Sequence, residues 1–149
     1  MPEVLFYHLT LSTLDEALPG LLERSLARGW RAVVQSGTEE RRNALDSLLW
    51  TFRDDSFLAH GTDAEPHAAE QPVLLTTGTD NENGAAVRFL VDGAEPSGLS
   101  AYERVVFLFD GHDQMQVEVA RRHWGAMKAE GNQVTYWQQA EDKRWERKA

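Results

Sequence analysis

Arg121, Trp124 and Lys128 stand at positions i, i+3 and i+7. On a helix that turns about 100° per residue, this spacing lines them along one edge, with a large aromatic between two long cations. An apolar floor with charged walls accepts a hydrophobic side chain beside a carboxylate. Arg122 points further round the same helix, and Val117, Ala120 and Met127 supply the apolar stripe beneath. The same spacing also describes a core tryptophan with cations laid over it, because basic side chains bury their stems and keep their charge in water. Periodicity does not choose between the two.

A second concentration lies at residues 46–61, DSLLWTFRDDSFLAHG. Arg53-Asp54-Asp55 breaks any helical period, and the stretch does not alternate as a strand would. Trp50, Phe57 and His60 therefore have two readings. Either Trp50 follows Leu45, Leu48 and Leu49 into a core, or the aromatics form an apolar patch that faces a partner.

Other chemistry is missing. The histidines at 8, 60, 67, 112 and 123 show no spacing that holds zinc. His112-Asp113 resembles a catalytic pair, but Asp113 is better placed as a helix cap. No Gly-x-Ser-x-Gly elbow occurs. Thr10-Leu-Ser-Thr-Leu14 contains no glycine where a dinucleotide fingerprint needs several, and no Gly-x4-Gly-Lys-Ser/Thr loop exists. Gly78 to Gly84 holds two acids and no lysine, which makes it a solvated turn. No catalytic residue, metal or cofactor is expected.

The elements that must position these residues alternate. Val4–Leu9 is an apolar strand. Thr10 to Thr13 offers capping hydroxyls, and Leu18, Leu21, Leu22 and Leu26 repeat at helical spacing, with the regular helix starting close to Pro19. Gly29 ends that helix, and Trp30–Gln35 resumes as a strand. A strand–helix–strand unit of this length predicts that its two strands pair in parallel. Thr38 caps a second helix whose buried face is Ala44, Leu45, Leu48 and Leu49. Residues 59–72 read as loop. Strands follow at 73–76, 86–91 and 105–109. Asp113 and Gln116 open a third helix to about Glu130, Gly131 ends it, and 133–137 is a last strand. These elements predict a three-layer, Rossmann-like α/β domain around a mostly parallel sheet, without a phosphate-binding loop. One domain spans 1–149, with 138–149 as a polar tail.

The totals limit the partners. The chain of 149 residues carries a formal charge of −9, unsuited to wrapping duplex nucleic acid. Residues 120–149 alone are net +3, and the remainder is net −12. A positive end on an acidic protein suits a small acidic partner. With no cysteine, no secretory signal pattern and no apolar run near about 18 residues, a soluble cytoplasmic protein is expected.

In order and spacing, these segments resemble the chi subunit family of bacterial DNA polymerase III holoenzyme over nearly the whole chain. The matching pieces are Val4-Leu-Phe-Tyr7, Gly29-Trp30-Arg31, Leu49-Trp50 followed by Ser56-Phe57-Leu58 and His60, Pro72-Val73, and Ala120-Arg121 with Trp124 and Gly131. The resemblance implies an α/β domain without nucleotide chemistry and a non-catalytic adaptor tied to the clamp loader, usually through a psi subunit. It also implies a grip on the acidic C-terminal tail of single-stranded DNA-binding protein, which combines aspartates, an aromatic side chain and a terminal carboxylate. Arg121 and Trp124 match an arginine and an aromatic of the family's tail site. The family lysine after that aromatic is Gly125 here, with Lys128 and Arg122 as the candidate replacements. Trp50 and Phe57 match residues on the surface that receives psi or a helicase-like repair partner. His60 matches a family histidine, although the preceding family proline is Ala59. Little direct nucleic-acid binding is expected. The rival readings are a nucleotide- or metabolite-binding α/β enzyme, and the same adaptor serving a repair helicase.

Overall fold

The computed structural model describes residues 2–52 and 58–149. A sheet of eight strands runs in the order β3-β4-β2-β5-β6-β1-β7-β8. The strands are β1 (Glu3–Leu9), β2 (Ala32–Gln35), β3 (His60–Thr62), β4 (Val73–Thr76), β5 (Val87–Val91), β6 (Arg104–Asp110), β7 (Gln133–Gln139) and β8 (Trp145–Arg147). All neighbours pair in parallel except β7 and β8, which are antiparallel. Helices α1 (Leu14–Ala27) and α2 (Glu39–Thr51) cover one face, and α3 (Gln114–Ala129) covers the other. The three-layer, mostly parallel α/β architecture is the expected one.

The local causes are those the sequence suggests, with instructive exceptions. Thr13 caps α1 in a capping box: its hydroxyl accepts from the Glu16 amide at 3.2 Å, and the Glu16 carboxylate accepts from the Thr13 amide at 3.0 Å. That box starts the helix at Leu14, a turn and a half before Pro19 rather than beside it. Pro19 deprives the Asp15 carbonyl of its usual partner. Burial of Leu18, Pro19 and Leu22 offsets the loss. Thr38 caps α2, and Asp113 caps α3 by accepting from the Met115 and Gln116 amides. Gln116 does not complete a second capping box. Its side-chain oxygen accepts instead from the Asp110 amide, tying α3 to the end of β6.

β1 and β2 are parallel but not adjacent, since β5 and β6 lie between them. β6 is apolar on both faces and takes the place beside β1, where Phe107 stacks on Phe6 with ring centroids 4.6 Å apart. Residues 59–72 are not all loop. β3 pairs with β4 at the sheet edge, and Ala68–Glu70 forms one helical turn. Three residues are too few for alternation to show in sequence. Ala44 is exposed, so the buried face of α2 is narrower than its spacing suggested. Past Gln139 the chain returns as β8, and Trp145 stacks on Tyr7 at 4.5 Å. Among the described residues, no helix is long and apolar enough to cross a membrane.

Candidate functional site

α3 lies over β1, β6 and β7 with Ala120, His123 and Met127 buried. Trp124 sits at the margin of that stripe and is half-buried. Its indole meets Phe6 edge-on at 5.4 Å and Tyr136 edge-on at 6.0 Å. Trp124 is therefore anchored in the core by one edge and open on another, which joins the two readings of its spacing.

Beside it opens a cavity of about 370 Å³, walled by α3 through Val117, Arg121 and Trp124 and floored by His8, Phe109 and Tyr136 of the sheet. Lys128 places its ammonium 5.1 Å from the Trp124 ring centroid. Neither Arg121 nor Lys128 makes an ion pair with the described residues. Arg122 behaves otherwise. It donates to Glu95 at 2.7 Å on the opposite flank of α3, where His123 also meets that carboxylate at 3.1 Å. These hydrogen bonds hold the Glu95 carboxyl below its ordinary value. Arg122 is thus set apart from the Arg121–Trp124–Lys128 edge by the roughly 100° between successive helical residues. Gly125 is exposed, and a side chain there would meet nothing within 4 Å.

The floor is a neutral counterpart to the charged rim. His8 meets the Tyr136 hydroxyl through Nδ1 and stacks on Phe109 at 4.9 Å. Burial and, secondarily, the neighbouring His112 hold the His8 imidazole below its ordinary value, against the pull of Asp110. Burial pushes the Tyr136 phenol up, with Arg121 acting the other way. At neutral pH the aromatic floor is uncharged, with Arg121 in the cavity wall and Lys128 over the Trp124 ring. The arrangement can take an apolar ring into the cavity and pair carboxylates at its edge. His8, Phe109 and Tyr136 escaped the sequence reading because three strands distant in the chain bring them together. The one local signal was the His8 imidazole within an otherwise apolar strand.

The second expected patch is divided. Trp50, the last buried-face neighbour of α2, is 55% exposed. Its ring lies against His60, with centroids 4.6 Å apart. His60 itself is buried, with Nδ1 2.7 Å from the Leu58 carbonyl and Nε2 3.1 Å from that of Asp46. It forms the support beneath Trp50 rather than a surface of its own. Phe57 lies outside the described residues.

The crevice at the carboxyl ends of β1 and β6 is where open α/β sheets commonly bind ligands, because the connections leave there for opposite faces. Here its donors are engaged within the chain. The Leu11 and Ser12 amides donate to the Gln139 side-chain oxygen at 3.1 and 3.0 Å. Arg41 bridges Asp92 at 2.7 Å and Asp15 at 2.8 Å. Among the described residues no three metal-capable side chains converge.

The family model described as DNA polymerase III chi subunit, HolC, matches residues 1–135. A probable DNA polymerase III subunit chi of Rickettsia prowazekii (strain Madrid E) is 22% identical over 109 residues, or 73% of this chain. The match spans 66% of that relative's length, just under two thirds.

Proposed function

The chain belongs to the DNA polymerase III chi subunit family, and on that premise we propose that it is a non-catalytic replisome adaptor. Its cavity beside α3 grips the acidic C-terminal tail of single-stranded DNA-binding protein. One observation carries this reading: Arg121 in the wall of an aromatic cavity and Lys128 over the Trp124 ring are both without acid partners among the described residues. The tail's aromatic side chain enters against Trp124, Tyr136 and Phe109, and its aspartates and terminal carboxylate meet the cations. Tethering then works through effective concentration, since a modest contact held at the fork acts as a strong one. The exposed Trp50 on α2 serves the second face, toward psi or another clamp-loader-side partner.

Fluorescence polarisation of a labelled peptide with the tail's composition tests the proposal at low and moderate salt. Binding should weaken as salt rises, because the rim charges are exposed and screened. Arg121→Glu should weaken it at least about tenfold, roughly 1.4 kcal/mol. Binding that ignores both salt and Arg121→Glu would refute the reading.

A further inference from the structure

On the face of the sheet opposite α3, a cavity of about 420 Å³ lies between the C-terminal end of α1 and strands β1 and β6. Three arginines line it, Arg24, Arg28 and Arg104, together with Tyr7. Phe89 and Val106 form part of its apolar lining. We propose that this cavity binds a phosphate monoester whose organic group is about the size of one ring.

The polar side chains facing the cavity are donors with capacity to spare. Arg24 and Arg28 have no ion pair with the described residues. Arg104 gives its Nε to Glu3 at 2.6 Å and keeps both terminal nitrogens. The Arg28 and Arg104 guanidinium groups lie over Trp30, 4.1 and 5.2 Å from its centroid, so they are held in place without consuming donors. The Tyr7 hydroxyl has no hydrogen-bond partner among the described residues, although burial raises its pKa and keeps it a donor at neutral pH. Arg104 and Arg24 act on that phenol with the opposite sign, and Glu3 adds to the rise. Ser25, the remaining hydroxyl, already donates to the Leu21 carbonyl.

Basic residues at a helix C-terminus ordinarily complement its dipole, which accounts for Arg24 and Arg28 taken singly. It does not account for a phenol on β1 and an arginine on β6 converging on the same space. The helix end would repel an anion, but its last carbonyls are occupied. Arg28 N–H donates to Arg24 and Ser25, Gly29 N–H to Leu26, and Trp30 N–H to Ser25. Three cations around one concavity also run against a molecule of net charge −9. A phosphate monoester near −2 at neutral pH, with three acceptor oxygens, matches this donor set better than a carboxylate with one charge. A cavity of this size holds more than the phosphate, and its apolar lining suits a ring.

The full chain, ¹⁵N-labelled, would be titrated with phenyl phosphate, inorganic phosphate and benzoate while the arginine Nε–Hε resonances are followed. Saturable shifts at Arg24, Arg28 and Arg104 are expected, with phenyl phosphate at least about threefold tighter than either control. Tyr7→Phe and Arg24→Gln should each weaken it by a similar factor, with Tm showing that both variants fold. A 5′-phosphorylated oligonucleotide that competes where its unphosphorylated copy does not would place the monoester on a nucleic-acid end. Saturable phenyl phosphate binding that neither oligonucleotide displaces would place it on a small metabolite. Absence of saturation at millimolar ligand, equal or tighter binding of benzoate, or indifference to both substitutions would overturn the assignment.

Discussion

Arg121 and Arg122 are adjacent in sequence, and the turn of α3 gives them different work. Arg121 faces the cavity, whereas Arg122 closes an ion pair with Glu95. Arg122→Gln should therefore change tail-peptide affinity by less than about twofold, against the tenfold or greater loss for Arg121→Glu, as read by the same polarisation assay. Gly125 offers the reverse experiment. It lies one turn from Arg121 on an exposed part of the helix with open space before it. Gly125→Lys should raise affinity a few-fold and stabilise the helix by about 0.5–0.8 kcal/mol, since glycine is a poor helix former. Chemical denaturation and peptide titration would show both effects. The edge itself was legible in the sequence, because a single helical period determines it. Which arginine would find an acid was not, because Glu95 comes from a loop 27 residues away.

At the scale of elements, the site depends on how closely the end of β6 passes β1. A Cβ built on Gly111 would lie 2.1 Å from His8 Nε2 and 2.8 Å from the Leu9 carbonyl, the latter backbone and unable to yield. Gly111→Ala should therefore destabilise the fold by about 1–3 kcal/mol and displace His8 from the cavity floor. Thermal unfolding, together with the His8 ring resonances, would report it. Arg88 offers another such test. Wholly buried on β5, it donates to the Gln35 side chain, the Tyr102 hydroxyl and the Gly78 and Asp80 carbonyls. Arg88→Ala empties that space and strands those acceptors, so a loss of at least about 3 kcal/mol is expected in urea unfolding. Helices and long strands were readable from capping residues and apolar runs. The pairing of β1 with β6, the three-residue β3 and the returning β8 were not, because each is decided by contacts between distant segments.

Along the sequence the basic excess of the molecule lies in the last 30 residues. The arginines that line the cavity by α1 show the limit of such a count, since they belong to the acidic portion of the chain and converge only on folding. Folding also gives the molecule an acid-sensitive group. The His8 pKa is lowered by burial, so the unfolded chain binds more protons than the folded one between that lowered value and about 6.5. Stability contributed by neutral His8 is present above this window and lost as pH falls through it. Urea titrations from neutral to mildly acid pH should show that slope, and His8→Gln should flatten it.

Most direct of all would be an amide and indole ¹H–¹⁵N spectrum recorded as unlabelled tail peptide is added to the labelled full chain. The adaptor reading predicts perturbations centred on the Trp124 indole N–H, Arg121 and Tyr136, with the opposite flank of α3 at Glu95 and Arg122 unchanged. Perturbations centred on that flank, or a spectrum unmoved at high peptide concentration, would contradict it.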